Sequence, residues 1–208
     1  MTSNRSLARR STLVAVAGAA ALVLAACGNS GSTSGHDMSS MNSGSPSASA
    51  TASAGAHNAQ DVAFAQQMIT HHRQAIEMAD LAATRASSTE VKSLATTIKG
   101  AQDPEIKTMS GWLTSWGEAV PQEMEGMDMP SGTPGMMSTA DMTKLDKESG
   151  TEFDTMFLQM MVQHHEGAVE MATTEQSKGA YGPAKTLAAS VITAQTAEIK
   201  KMSDLLNT

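Results

Sequence analysis

Apolar residues recur at helical spacing within Ala-rich stretches from residue 58 onward, and they lack the alternating pattern of a half-buried strand. The pattern occurs twice, because an offset of 93 aligns residues 61–113 with residues 154–206 without a gap. We therefore predict two helical hairpins, 58–116 and 141–208. Docking of these hairpins through their apolar stripes predicts an all-α fold, a four-helix bundle with approximate two-fold symmetry.

Signals for helix ends mark the turn of each predicted hairpin. In the first, Ser87 followed by Glu90 has the form of a capping box. In the second, Gly179 suits a helix end and Pro183 suits the first turn of the next helix. Pro104 lies inside the predicted second helix, so we expect a kink or a local break there.

Residues 1–26 have the features of an export signal. Arginines precede an apolar run at 13–26, which is too short to span a membrane comfortably. The run ends in a sequence resembling a lipobox, in which Cys27 becomes the lipid-bearing first residue. We predict an extracytoplasmic protein anchored to the cell membrane through Cys27. A soluble secreted protein is the alternative, and the Arg9-Arg10 pair leaves Sec and twin-arginine export open.

Two further segments are poor in helical pattern. Residues 27–57 are rich in Ser, Gly and Ala, which predicts a flexible tether. Its His36, Met38 and Met41 are either a loose metal-catching segment or a chance cluster. Residues 117–140 are predicted to form a Met-rich loop. This loop either has a metal-related role or merely folds back over the bundle. The loop methionines are Met124, Met127, Met129, Met136 and Met137.

Composition narrows the function further. The 208 residues suffice for one domain of ordinary size, and the net charge is −7. Removal of residues 1–26 and their three arginines leaves 11 basic and 21 acidic residues, a net charge of −10. This acidic balance argues against binding to a nucleic-acid backbone. One cysteine excludes a disulfide framework and any Cys-rich zinc or iron–sulfur site, whereas 17 methionines are an excess that needs a reason.

One face of the first predicted helix carries histidine and methionine, and the corresponding helix of the second copy repeats it. At about 100° per residue, these side chains fall within a half-cylinder, whereas Glu77 and Glu170 lie on the opposite side and remain secondary candidates. The face consists of Asp61, Met68, His71, His72 and Met78 in the first copy and Asp154, Met161, His164, His165 and Met171 in the second.

Metal binding would explain why both copies carry this set. A lone buried histidine is usually a hydrogen-bonded core residue, and a methionine stripe is usually ordinary core. Together, two buried His-His pairs need partners or a bound ion to offset their desolvation. Imidazole and thioether without thiolate favour copper, Cu(I) in particular, with Ag(I) as a mimic. The predicted ligands are Met68, His71, His72, Met161, His164 and His165, with Asp61, Asp154, Met78 and Met171 in support.

The motif D-x2-F-x3-M-x2-HH-x2-A-x-EMA begins at Asp61 and recurs from Asp154, with the segment Pro134-Gly135-Met136-Met137 between the copies. Over about residues 58–208, this arrangement resembles the bacterial domain-of-unknown-function family 305 (DUF 305), which includes exported copper-binding proteins of the CopM type. The resemblance implies a ferritin-like helical bundle, export, and copper or silver binding in some members.

The leading hypothesis is a lipid-anchored protein that sequesters copper ions or passes them to an unidentified partner, without catalysis. The second is a structural or partner-binding lipoprotein whose histidines form a buried hydrogen-bond network or a pH-sensitive contact. The third is a di-iron or di-manganese oxidase, which would need paired Glu-x-x-His motifs that this sequence lacks. A haem held by Met and His is a weaker form of the third hypothesis. The sequence does not determine the number of metal ions bound, the oligomeric state, or whether the protein stores the ion or delivers it.

Overall fold

The computed structural model describes residues 56–122 and 132–207. The secondary-structure elements within these ranges are all α-helices. Four long helices form two antiparallel hairpins, which confirms the predicted all-α bundle. The helices are α1 (Ala59–Arg85), α2 (Thr89–Trp116), α3 (Thr139–Lys147), α4 (Gly150–Lys178) and α5 (Gly182–Leu206). Within the described ranges, no helix has the length and apolar character needed to cross a membrane.

Several sequence-based predictions concern residues outside the described ranges. These are the signal peptide 1–26, the lipidation site Cys27, most of the tether, His36, Met38, Met41, and the loop residues Met124, Met127 and Met129.

Helix α3 was not predicted. It begins with a capping box between Ser138 and Asp141, and Leu145 is its buried apolar residue. An ion pair of 2.7 Å between Arg85 and Asp146 joins it to the end of α1. Nine residues with a single buried apolar side chain give too short a pattern for periodicity to reveal.

Two local predictions need correction. The N-cap of α2 is Ser88, whose hydroxyl accepts from the Val91 amide, and not Ser87. Helix α2 also continues through Pro104, so the predicted local break is wrong, whereas the predicted kink stays a prediction. Pro104 is exposed, so water can solvate the carbonyl that loses its helical donor there. The predicted Gly179 end of α4 and the proline in the first turn of α5 are confirmed.

The core consists of two buried clusters, and both combine residues from the two hairpins. One contains Phe153 and Phe157 of α4 together with Leu94 and Ile98 of α2. The other contains Phe64 of α1 together with residues of α2, α4 and α5. Helix α1 packs on α2 and on α4, and α4 packs on α5. Neither hairpin therefore buries its apolar face by itself.

Asp61 and Asp154 connect the hairpins reciprocally. The Asp61 carboxylate accepts from the backbone amides of Ala180 and Tyr181, in the turn of the second hairpin. The Asp154 carboxylate accepts from the Ser87 and Ser88 amides and the Ser87 hydroxyl, in the turn of the first. Backbone amides at helix starts lack intrahelical acceptors, and a buried carboxylate supplies one. Both aspartates thus have a structural role, and the supporting ligand role suggested by the sequence stays a prediction.

Glu175 lies fully buried beside Asp61. Burial raises the pKa of Glu175 to about 8, and the neighbouring Asp61 carboxylate adds to the effect. Burial also acts to raise the pKa of Asp61, but backbone amides led by Asn58 and Tyr181 outweigh it, so this pKa is lowered. Near neutral pH, a protonated Glu175 therefore lies beside an ionised Asp61.

The substitution Glu175→Gln is predicted to flatten the pH dependence of stability. The folded pKa is raised from 4.5 to about 8, so the folded state keeps a proton that the unfolded chain has released. Stability should fall as the pH rises from about 4.5 through 8 in the parent chain. The glutamine amide carries no charge at any of these pH values, and the variant should be more stable at pH 9 by on the order of 2 kcal/mol. Chemical denaturation at pH 5 to 9 measures this. If the free energies of unfolding of the parent and the variant change with pH in parallel, the prediction is wrong. Glu170→Gln, at an exposed site, is the control.

Candidate metal centre

Four imidazoles lie together in the middle of the bundle. His71 and His72 come from α1, His164 and His165 come from α4, and all four are 0% exposed. These helices pack against each other. The duplicated His-His pairs of the sequence therefore form one layer of the core.

His71 and His164 contact each other at the centre of this layer. Their ring centroids are 3.6 Å apart, with 36° between the ring planes. None of their four ring nitrogens has a hydrogen-bond partner of normal geometry within the described residues. Buried polar groups are nearly always paired, so these nitrogens have unused capacity to bind a ligand.

Burial lowers the pKa of both central histidines to well below the usual value. Neighbouring imidazoles act in the same direction, His72 and His165 on His71, and His71 and His165 on His164. Both rings are therefore neutral at pH 7, the form in which an imidazole nitrogen binds a metal ion.

The two outer histidines are held by carboxylates. His72 Nε2 lies 2.7 Å from Glu105 Oε2 on α2, and His165 Nε2 lies 2.8 Å from Glu198 Oε2 on α5. An ionised carboxylate only accepts, so each Nε2 donates the proton and each Nδ1 keeps its lone pair in the neutral ring. Both Nδ1 atoms are buried without a partner. A carboxylate that orients an imidazole in this way is typical of histidines that bind metal ions.

Sequence reasoning did not assign Glu105 and Glu198 to the site. Gln102 and Gln195 were also missed, one turn before these glutamates and 3% exposed, each with an Oε1 that lacks a partner. The signal was present in the sequence, because all four residues recur at the offset of 93.

The other predicted site residues separate into three groups. Met68, Met78, Met161 and Met171 are buried, at 0 to 6% exposure, within one or two turns of the histidines. Asp61 and Asp154 are ten residues from the nearest histidine of the pair, about 15 Å along the helix. Glu77 and Glu170 are exposed.

Within the described part of the chain, no three side chains of the His, Cys, Asp or Glu type are grouped as a metal site requires. The buried imidazoles and the buried thioethers of the predicted face lie on the same two helices, and this donor set matches a soft cation such as Cu(I) or Ag(I).

Residues 133–137, the end of the Met-rich loop, form a strap across the histidine layer. The Gln74 amide of α1 donates to the Met137 carbonyl at 2.9 Å and accepts from its amide at 2.8 Å. Gly135 has a φ of 74°, and a Cβ there would be 2.8 Å from the His164 carbonyl. Met137 is 7% exposed. This part of the loop therefore folds back over the bundle, one of the two alternatives from the sequence.

Replacement of Gly167 by alanine is predicted to displace the strap. A Cβ at this position of α4 would overlap the carbonyl group of Pro134. The clash involves backbone, so we expect destabilisation of about 1–3 kcal/mol. Thermal unfolding and hydrogen exchange of the Met137 amide measure it. Gly100→Ala is the matched control, because a helical Cβ there meets nothing within 4 Å and should be neutral or stabilising. Similar behaviour of the two variants would contradict the contact.

Comparison with known families gives a match over residues 61–206 to a model described as "Domain of unknown function (DUF305)". This range contains both copies of the motif and the strap. No curated protein matches the chain.

Solved structures resemble the chain over most of their length. A DUF305 protein from Streptomyces coelicolor, described as a candidate secreted protein, is 35% identical with a TM-score of 0.65, covering 71% of this chain and 92% of its own. A DUF305 fragment from Deinococcus radiodurans is 29% identical with a TM-score of 0.65, covering 72% and 97%. CopM in its Cu(II)-bound form is 34% identical with a TM-score of 0.61, covering 71% and 95%. CopM is also known in Cu(I)-bound and Ag-bound forms.

Proposed function

Since the chain belongs to the DUF305 family, we propose that it binds Cu(I), with Ag(I) as a mimic, through the buried His-Met face, and that it stores or carries this ion. The similarity to copper-bound and silver-bound CopM supports copper as the cargo. The ion is bound and released, and no covalent bond of a substrate is made or broken.

The observation that carries this proposal is the set of unpartnered imidazole nitrogens. His71 and His164 have four such nitrogens between them, and the Nδ1 atoms of His72 and His165 add two more, all fully buried. A structural hydrogen-bond network would satisfy its own members, since each unpaired buried nitrogen costs about 1–3 kcal/mol. This is the reason to favour ion binding over the structural alternative.

The donor atoms favour a soft monovalent cation over harder ions. Neutral imidazole and thioether add no negative charge, whereas Glu105 and Glu198 are engaged by the outer histidines. Cu(I) and Ag(I) accept few, soft ligands, and Fe(II), Mn(II) and Mg(II) need more oxygen ligands than the layer offers. The di-metal oxidase is therefore the weakest of the three hypotheses.

We further propose that the protein acts outside the cytoplasm, held to the membrane by lipid on Cys27 through the tether. The lipobox-like sequence supports this placement. Extracytoplasmic conditions also suit thioether ligands, because methionine is not lost to disulfide formation there.

Loss of the central imidazoles is predicted to abolish tight Cu(I) binding by the histidine layer. The double variant His71→Ala, His164→Ala removes the ring pair and should lower the affinity of the histidine layer for Cu(I) by at least about a hundredfold, since loss of a hydrogen-bond partner of a ligand alone costs about 10- to 100-fold. Competition with a chromogenic Cu(I) chelator measures it. His57→Ala is the control, since His57 stacks on Trp116, about 21 Å from His71 along the direction of α1. The variant must stay helical by circular dichroism. Undiminished affinity in a folded double variant would move the site elsewhere.

Cys27→Ser is predicted to release the protein from the membrane. The parent chain should partition into the detergent phase after Triton X-114 extraction of cells, and the variant should be found in the aqueous phase. Cys27 is the only cysteine, so no other thiol can replace it. Recovery of the processed parent chain from the aqueous phase would instead identify a soluble exported protein.

A further inference from the structure

Two methionines outside the predicted face are as deeply buried as those within it. Met109 of α2 and Met202 of α5 are both 0% exposed, and they occupy equivalent positions of the duplication. Each belongs to a core cluster that also contains methionine from α1 and from α4. The first triad is Met68, Met109 and Met171, and the second is Met161, Met202 and Met78.

The register between α1 and α2 places Met68 opposite Met109. The contact of His72 with Glu105 sets this antiparallel register. Met68 lies four residues before His72, and Met109 lies four residues after Glu105, so both are one turn away in the same direction. The contact of His165 with Glu198 places Met161 opposite Met202 in the same way.

The register between α1 and α4 brings the third methionine to each pair. From the contact of His71 with His164, Met68 lies about 4.5 Å along α1 and Met171 about 10.5 Å along α4, in the same direction. The Cβ of a helical residue tilts toward the helix N-terminus. In antiparallel helices Met68 and Met171 therefore lean toward each other across this difference of about 6 Å.

Both copies of the duplication keep these methionines, although other buried apolar positions have changed. Ordinary core packing tolerates exchange among Met, Leu, Ile and Val, so three methionine positions without a single exchange suggest a need for sulfur. The changed positions include Ala65 against Leu158, Ile69 against Val162, Val91 against Ala184, and Ile98 against Val191.

We propose that each triad is a three-thioether site for a soft monovalent cation, so that two equivalent methionine sites flank the histidine layer, with Met109 and Met202 as ligands. Three neutral sulfurs from three helices select Cu(I) or Ag(I) over divalent ions, because thioethers bind harder cations poorly. The proposal rests on the proposed function for the identity of the cargo. It adds sites that the histidine layer does not contain.

Silver titration of the full-length chain carrying Cys27→Ser tests the proposal, because this background has no thiol to bind the probe. The readout is the ¹³C-labelled methionine methyl spectrum, together with the number of Ag(I) ions retained after desalting. We expect the methyl signals of all six triad residues to shift on addition of Ag(I). The double variant Met109→Leu, Met202→Leu should lose two retained ions per chain while keeping the ion bound by the histidines.

Leucine has nearly the volume of methionine, so the double variant should fold. Met160→Leu is the matched control, since Met160 is buried at 9% exposure, lies outside both triads and should leave the ion count unchanged. If Ag(I) binds and His71→Ala, His164→Ala abolishes that binding while the Met109 and Met202 methyl signals do not shift, the triads are overturned and the proposed function stands. If the chain retains no Ag(I), both proposals fail.

Discussion

The bundle is organised around the burial of four imidazoles that have too few hydrogen-bond partners. Two carboxylates, Glu105 and Glu198, each engage one nitrogen of an outer ring, and the remaining ring nitrogens of the layer have no partner of normal geometry within the described residues. An apolar layer would stabilise the same helices at lower desolvation cost. Because the layer is present in both copies, its unpaired nitrogens are best explained by a ligand that binds them.

The rest of the fold keeps this layer in place by reciprocal contacts between the hairpins. Asp61 of α1 binds the turn between α4 and α5, and Asp154 of α4 binds the turn between α1 and α2. Both ends of the α1–α4 interface are thereby fixed, which holds His71 and His164 in contact at its middle. Glu175 adds a protonated carboxyl to one end only, since its equivalent in the first copy is Ala82.

Much of this arrangement could be predicted from the sequence, because a gapless duplication constrains both fold and symmetry. The helical wheel identified the face that carries the histidines and methionines, but it contains no information on how far along the axis two helices meet. Asp61 and Asp154 share that face and yet lie at the far ends of the interface, where turns need acceptors. Glu105 and Glu198 recur in both copies, but recurrence alone does not show that they contact the imidazoles, because this contact depends on the register between neighbouring helices. The short helix α3 has too few apolar positions to produce a pattern.

The strap breaks the symmetry of the histidine layer at one pair of equivalent positions. Gln74 and Gly167 correspond at the offset of 93, and each has the residue type that the strap requires. Gln74 binds both backbone groups of Met137, whereas Gly167 leaves room for the backbone of Pro134. The Pro134 carbonyl consequently acts to raise the pKa of His71, an effect that His164 does not share. The two central rings therefore differ in electrostatic environment although their helices are duplicates.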